Sequence, residues 1–461
     1  MKNVKRLIFL AVILFSFVLI SCSSGSADSA DSADSADSAK SAASATVADP
    51  YNESLSDAAL ECIECHADET HGIVNDWDES RHAAENISCI DCHEVEPGSP
   101  MELKNVNGHG DVKVAVSLLV PPSVCAECHE DAVEEFHASG HQRAALQIEA
   151  KDSMQALMYH HEGRDNEEFN GAPGETGCMQ CHGTRFDMDS QGRPSPETYP
   201  SSGIGNIYPN GEVGNCAVCH TRHTFKISES RKPEACGSCH LGPDHPDMEI
   251  YENSKHGQIF TAEGGEWKWD SAPGEWEPGD YRAPTCATCH MSGIGDLEVT
   301  HNVSQRLHWN LWAKVSKVRD DPDPMSMWTG DGEAGRAEME MVCSECHTST
   351  LTESFFASGD KAVNLYNEEY WAPVEAMRVE LADAGLLKEN PWDDEFMVLH
   401  YHIWHHDGRR ARQGAMMGGP DWAHWNGFFM LQQKLYRAES IYNQRMESGQ
   451  IETDYFPSSA E

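Results

Sequence analysis

Positive charge is what this chain most lacks. Its 461 residues carry 33 Lys and Arg against 76 Asp and Glu, a formal net charge of -43. Nucleic acid is therefore excluded as a partner, because its phosphates would be repelled rather than gathered. A basic protein would be drawn in by the same field, although a solvated acidic surface that keeps the chain soluble is an equally good account of it. Long runs of alternating apolar and polar residues are also missing, which argues against a fold built on sheets. The apolar run from Leu7 to Ile20 is too short for a comfortable membrane span.

That run follows Lys2, Lys5 and Arg6, which is the layout of an export signal. It ends in Leu19-Ile20-Ser21-Cys22, which resembles the lipobox of bacterial lipoproteins and implies cleavage before Cys22 and lipid on that residue. Four tandem Ser-Ala-Asp triplets from Ser26 to Asp37 follow. Such sequence buries too little apolar surface to offset its ordering entropy, so it reads as a disordered tether reaching about 30 Å. The expected divisions are a signal peptide over 1–21, a lipidated linker over 22–49, a cofactor-binding catalytic region over 50–350 and a helical region over 351–461. The product is exported to the periplasm or cell surface and held by lipid, with the outer membrane preferred because Ser23 and Ser24 are not the Asp that retains some lipoproteins at the inner membrane.

The chain reads Cys-x-x-Cys-His eight times. The motif residues are Cys62, Cys65 and His66; Cys89, Cys92 and His93; Cys125, Cys128 and His129; Cys178, Cys181 and His182; Cys216, Cys219 and His220; Cys236, Cys239 and His240; Cys286, Cys289 and His290; and Cys343, Cys346 and His347. With Cys22 these account for all 17 cysteines, so none remains for a disulfide or a nucleophile. Two thiols three residues apart on one turn can add to the two vinyl groups of a porphyrin, and the next residue sets an imidazole under the iron. Zinc takes Cys pairs in twos and does not need a His after each. Eight covalently bound c-type haems are therefore expected. So few residues per haem cannot build a separate core around each group, and the expected fold is mainly α: a multihaem cytochrome c with a haem-filled core, long loops and a C-terminal block of long helices.

Second axial ligands are sought among the remaining histidines. A phrase aromatic-x-x-Ser-x-His recurs as "WDESRH" ending at His82, "FHASGH" ending at His141 and "YENSKH" ending at His256, each read as one short helix. A fourth copy carries Asp360 in place of the His. His109, His223, His301 and one of His405 or His406 complete the set of candidates. Seven irons would then be closed by two imidazoles and one left open, and an open iron can bind a substrate.

The last 114 residues have no such motif. Pro373, Val374, Met377 and Leu381 predict one helix stopped near Asn390-Pro391. Trp425, Phe428, Phe429, Leu435, Tyr436 and Tyr442 predict an apolar stripe on another. Arg409, Arg410 and Arg412 suit haem propionates. The plainer role for most of this block is to cap the haem core or mediate oligomerisation.

With its eight motifs, "CHTRHTF", "CGSCHLGPDHPDMEIYENSKHG" and "PTCATCHMSG", the body from about Glu61 to Tyr442 resembles the octahaem hydroxylamine oxidoreductase family, which includes hydrazine dehydrogenase. The resemblance implies that the fourth haem, on Cys178, Cys181 and His182, is catalytic and five-coordinate. It also implies that Asp244 and His245, in the GPDHP phrase after the sixth motif, stand on its distal side. His245 is then expected nearer the iron over His182 than the one over His240. Implied with it are hydroxylamine, nitrite or hydrazine as the class of substrate, a basic c-type or quinone-linked cytochrome as electron partner, and a homotrimer. An imidazole near neutral pKa beside a carboxylate suits proton delivery to a small ligand. Oxidising members link a tyrosine from a neighbouring subunit to the catalytic porphyrin. Tyr401 is the only Tyr between Trp392 and Trp425, Trp422 is set against an aromatic of another kind in some relatives, and the crosslinking tyrosine is not assigned, so direction is left open. The rival reading is a pure electron conduit with every iron closed. A pentahaem-type nitrite reductase would need a CxxCK, and none occurs.

Overall fold

The Cys-x-x-Cys-His turns are built as short helices because their two cysteines, three apart, share a helix face. They lie in or at the ends of helices Asp57–Glu69, Cys89–His93, Pro122–Ala138, Cys178–His182, Pro233–Gly237, Cys286–His290 and Gly332–Ser344, and at the 3-10 turn Cys216–Val218. Local capping starts several of them: Ser56 Oγ accepts from Ala59 N at 3.2 Å, and Thr285 and Thr288 form a reciprocal capping box. The computed structural model describes residues 55–104, 109, 114–149, 177–243, 245–319 and 330–451. The export signal, Cys22, the tether and Asp244 lie outside the described residues.

From Ser54 onward the chain forms one unit. Among the described residues the only named sheet is a two-stranded antiparallel ribbon, Trp309–Asn310 with Lys317–Val318. No helix among them is long and apolar enough to cross a membrane. In the motif-bearing part, loops close over the motif turns. Around the fourth motif, Ile204 N donates to Cys181 O at 3.1 Å, Gly205 N to His182 O at 3.1 Å, and Ser201 Oγ to Met179 O at 3.0 Å. Gly183 ends that turn at φ +90°, where a Cβ would lie 2.5 Å from Asn206 N, so only glycine lets the loop close on the motif.

The repeated phrase folds differently from the single short helix expected of it. In two copies the serine is a break: Ser80 and Ser254 cap new helices, Arg81–Ala84 and Lys255–Glu263, accepting from Ala83 N and Gly257 N at 3.1 Å each. The aromatic thus closes one helix and the histidine opens the next. In the third copy, Ser139 Oγ donates back to Phe136 O and His141 lies in the 3-10 turn Gly140–Arg143. The fourth copy has no break and runs straight through helix Ser349–Leu365. There Asp360 accepts from Trp309 Nε1 at 2.7 Å and pairs with Arg336 at 2.9 Å.

The C-terminal block holds the largest apolar core, from Tyr366 and Trp371 through Leu381, Phe396 and Ile403 to Leu431 and Ile441. Two sequence expectations change here. Pro373 does not start a helix: helix Ser349–Leu365 continues through a π segment, Tyr366–Trp371, into Ala372–Asp383. The wider π turn frees the carbonyls that a proline ring would otherwise strike. That helix ends at Asp383 rather than near Asn390, because Gly385 turns the chain at φ +69°. On helix Phe429–Ser448 the buried face is Leu431, Leu435, Ala438, Ile441 and Arg445, while Trp425, Phe429 and Tyr436 are exposed on another. The predicted stripe had merged two faces.

Candidate functional site

A metal–imidazole bond is about 2 Å long, so two imidazoles on one iron put their ring centres about 6 Å apart. Five motif histidines face a predicted second histidine at this spacing: His66 and His109 at 6.0 Å, His93 and His223 at 6.4 Å, His220 and His301 at 6.4 Å, His240 and His141 at 6.1 Å, and His347 and His256 at 6.0 Å. His82 lies close enough to His129 for the two rings to repel each other's charge. These residues fit a haem iron between each pair. Burial lowers the pKa of His93, His223 and His256, takes His220 down to about 4 and His141 to about 3, and so favours the neutral, ligating form.

Several motif histidines have their outer nitrogen fixed. Nδ1 of His93 donates to Ser117 O at 2.8 Å, that of His182 to Ala144 O at 3.2 Å, and that of His66 pairs with Thr70 Oγ1 at 2.7 Å. His240 differs, its Nδ1 meeting the Asp247 carboxylate at 2.9 Å. Burial alone would lower its pKa, but the bond and charge of Asp247 reverse this and leave it raised. Half-buried His290, pushed down to about 4 mainly by desolvation, has no hydrogen-bond partner on its buried Nδ1 among the described residues. Two features had escaped the sequence reading. Asp247 resembles an ordinary first-turn acid, and His308, buried with Nδ1 on Gly332 O at 2.8 Å, carries no motif of its own.

The thiols reveal the order of the motifs in space. The thiols of Cys125 and Cys216, of Cys181 and Cys239, and of Cys236 and Cys286 lie side by side. Electrostatic contact joins Cys62 to Cys89, Cys92 to Cys125, Cys219 to Cys236 and Cys289 to Cys343. The run is therefore one, two, three, five, six, seven, eight, with the fourth motif branching from the sixth.

The GPDHP turn follows the sixth motif. Met248 N donates to His240 O at 2.9 Å, Gly242 N to Glu249 Oε1 at 3.0 Å, and Arg410 Nε to Pro243 O at 2.6 Å. The His245 ring centre lies 6.1 Å from His240 and meets Trp312 edge-on at 5.9 Å. His141 and His245 thus stand at the same 6.1 Å from His240, and distance alone does not choose between them as its partner. Arg409 stacks over Trp312 at 4.1 Å.

Four of the C-terminal residues singled out from sequence are placed within the protein framework. His405 lies face to face on Tyr401 at 4.6 Å, and His406 meets Tyr401 edge-on at 5.4 Å. Arg412, fully buried and pushed down to about 10 by desolvation, donates to Gly408 O at 2.7 Å and lies over Tyr366. Arg410, bound also to the buried Asp407 at 3.3 Å, clasps the GPDHP turn from the C-terminal block. Replacing Arg410 with Ala should remove about 1 kcal/mol from that turn, seen as several-fold faster hydrogen exchange at the Asp247 and Met248 amides.

Comparison with known proteins agrees with this architecture. Residues 208–388 match the family model described as seven times multi-haem cytochrome CxxCH, and residues 24–94 and 124–221 match cytochrome c554 and c-prime. Both matches are to c-type cytochrome families, which supports covalently bound haem c. Its fold is, more particularly, shared with solved multihaem proteins. A solved hypothetical multihaem protein superposes with a TM-score of 0.70 at 22% identity, covering 86% of this chain and 97% of that one. The reducing HAO-like protein complex of Kuenenia stuttgartiensis gives a TM-score of 0.61 at 20% identity, covering 84% and 85%. A probable nitrite reductase-hydroxylamine oxidoreductase fusion protein of the same organism is 28% identical over 369 residues. That alignment takes in 72% of this chain but only 38% of the relative's length.

Proposed function

We propose that this chain is an octahaem oxidoreductase that converts a small nitrogen compound, nitrite or hydroxylamine, at the haem on Cys178, Cys181 and His182, while the other haems relay electrons. The contact between Cys181 and Cys239 carries this reading. It brings the fourth motif against the sixth, and the GPDHP turn begins two residues after His240. A haem c there supplies an iron able to hold the substrate and exchange electrons with it. His182 is oriented by Ala144 O; Asp244 and His245 move protons on the distal side; Arg410 holds their turn in place. The run of motifs from one to eight gives electrons a continuous path to and from the branch at the sixth.

The reading favours reduction. Tyr401 is 5% exposed, packed between Trp392 at 5.0 Å and His405 at 4.6 Å within its own subunit's core, which withholds it from a neighbour's haem. The same reading includes a lipid anchor at Cys22, a basic or quinone-linked cytochrome as electron partner, and a trimer, to which the exposed Trp425, Phe429 and Tyr436 offer an apolar face.

Carbon monoxide tests the open iron. Reduced holoprotein should bind it at one haem, and binding at none would favour the pure conduit. Nitrite and hydroxylamine reduction by a chemical reductant should then exceed hydroxylamine oxidation, and the displaced band of a tyrosine-modified haem should be absent. Either that band or faster oxidation would reverse the direction.

A further inference from the structure

We propose that Asp247 is a redox-tuning residue that makes the haem of the sixth motif the most strongly reducing relay next to the fourth. The proposal depends on haem attachment at Cys236 and Cys239 with His240 beneath the iron; it does not depend on which reaction the fourth haem performs.

The observation is a difference among the motif histidines. His93 and His182 donate their outer N–H to neutral backbone carbonyls, at 2.8 and 3.2 Å. His240 donates to a carboxylate oxygen at 2.9 Å. A hydrogen bond to an ionised acceptor is roughly twice as strong as a neutral one. It shifts electron density onto the imidazole and makes it a more basic ligand. A more basic axial ligand stabilises the ferric iron, so the potential falls.

The geometry is built rather than incidental. Asp247 opens helix Asp247–Asn253, whose first turn is fastened to the motif by Met248 N donating to His240 O at 2.9 Å. Gly237 packs directly on Met248, where a Cβ would come within 2.8 Å of its sulfur, so the helix start cannot slide away from the motif. The negative charge of Asp247 also reaches His290 of the seventh motif, without a bond to it. A smaller effect in the same direction is expected there.

This placement has a consequence for electron flow. The fourth motif touches the sixth through Cys181 and Cys239, and the sixth touches the seventh through Cys236 and Cys286. Electrons reaching the branch point from either arm of the run are then held at high energy beside the fourth haem. The imidazole–carboxylate bond is a property of this chain's own residues, seven apart in sequence.

The test is a redox titration of the full holoprotein, followed by visible absorption and electron paramagnetic resonance, for wild type and three variants. Asp247→Asn keeps size and hydrogen bonding but removes the charge. It should move one resolved component to higher potential by about tenfold in its oxidised-to-reduced ratio, about 59 mV for a one-electron couple. Asp247→Glu, which keeps a carboxylate, should recover at least half of that shift. Glu249→Gln alters the same turn through Gly242 N but does not touch His240, and should leave all components in place. Unchanged potentials in Asp247→Asn would overturn the proposal. So would an equal shift in Glu249→Gln, because Asp247 would then act only by shaping the turn. Should Asp247→Asn not assemble with haem, the comparison of Asp247→Glu with Glu249→Gln decides: a component displaced by the first and not the second supports the proposal, and the reverse overturns it.

Discussion

Replacing His245 with Asn should lower turnover of nitrite or hydroxylamine by about a hundredfold or more, the range over which positioned acid–base groups act, while the low-spin spectra of the relay haems stay as they are. The ring lies beside Trp312 and 6.1 Å from His240, on a turn whose carbonyl Arg410 holds at 2.6 Å. A group that delivers protons also shapes the pH profile, so the variant should lose the limb due to an imidazole. The spectrum carries a second outcome. If His245 rather than His141 were the second ligand over His240, its loss would turn one relay haem high-spin, and the proton-relay role would fall. Full turnover in the variant would have the same effect. Replacing Asp244, the neighbour of His245 in sequence, should act in the same direction.

The largest effect on stability should come from Asp394. It is fully buried, accepts both contacts of Arg445 Nη1 at 3.0 Å, and receives Lys388 N at 2.9 Å. It also caps helix Glu395–His405, taking Phe396 N at 2.9 Å and Met397 N at 3.3 Å. Asp394→Ala leaves a buried guanidinium without its counter-charge, a loss of about 3–5 kcal/mol, and removes a helix cap worth about 1 kcal/mol. Thermal unfolding of the holoprotein should show the drop, beginning in the C-terminal block. Replacing Arg445 and Asp394 together by apolar residues of similar volume should recover much of it, because a buried pair contributes far less than the penalty for breaking it. A single variant as stable as wild type would show that water reaches Arg445 after all.

Haem attachment was legible without the structure because its chemistry is local. Two thiols and an imidazole within five residues are sufficient, and the eight such runs left no cysteine but Cys22 unassigned. The second histidines were legible in part for a similar reason: a capping serine two residues before a histidine marks a helix start, as at Ser80 and Ser254. What the repeat hid was the break at the serine, which depends on how the chain turns there. The helices of the C-terminal block were legible as helices, but not their limits. Pro373 reads as a start until a π turn is seen to accommodate it, and Trp425 reads as core until the rotation of its helix shows it outside.

By itself, then, the amino-acid order determined the protein's class, its cofactor chemistry and its helical character, since each rests on contacts within a few residues. Only the tertiary structure decided which motif stands beside which, with the fourth branching from the sixth through Cys181 and Cys239. It also decided what each imidazole leans on. A carbonyl from Ala144 behind His182 and a carboxylate from Asp247 behind His240 are differences of environment, not of motif. Identical Cys-x-x-Cys-His runs become unequal haem sites because the loops that close over them bring different charges to the same nitrogen.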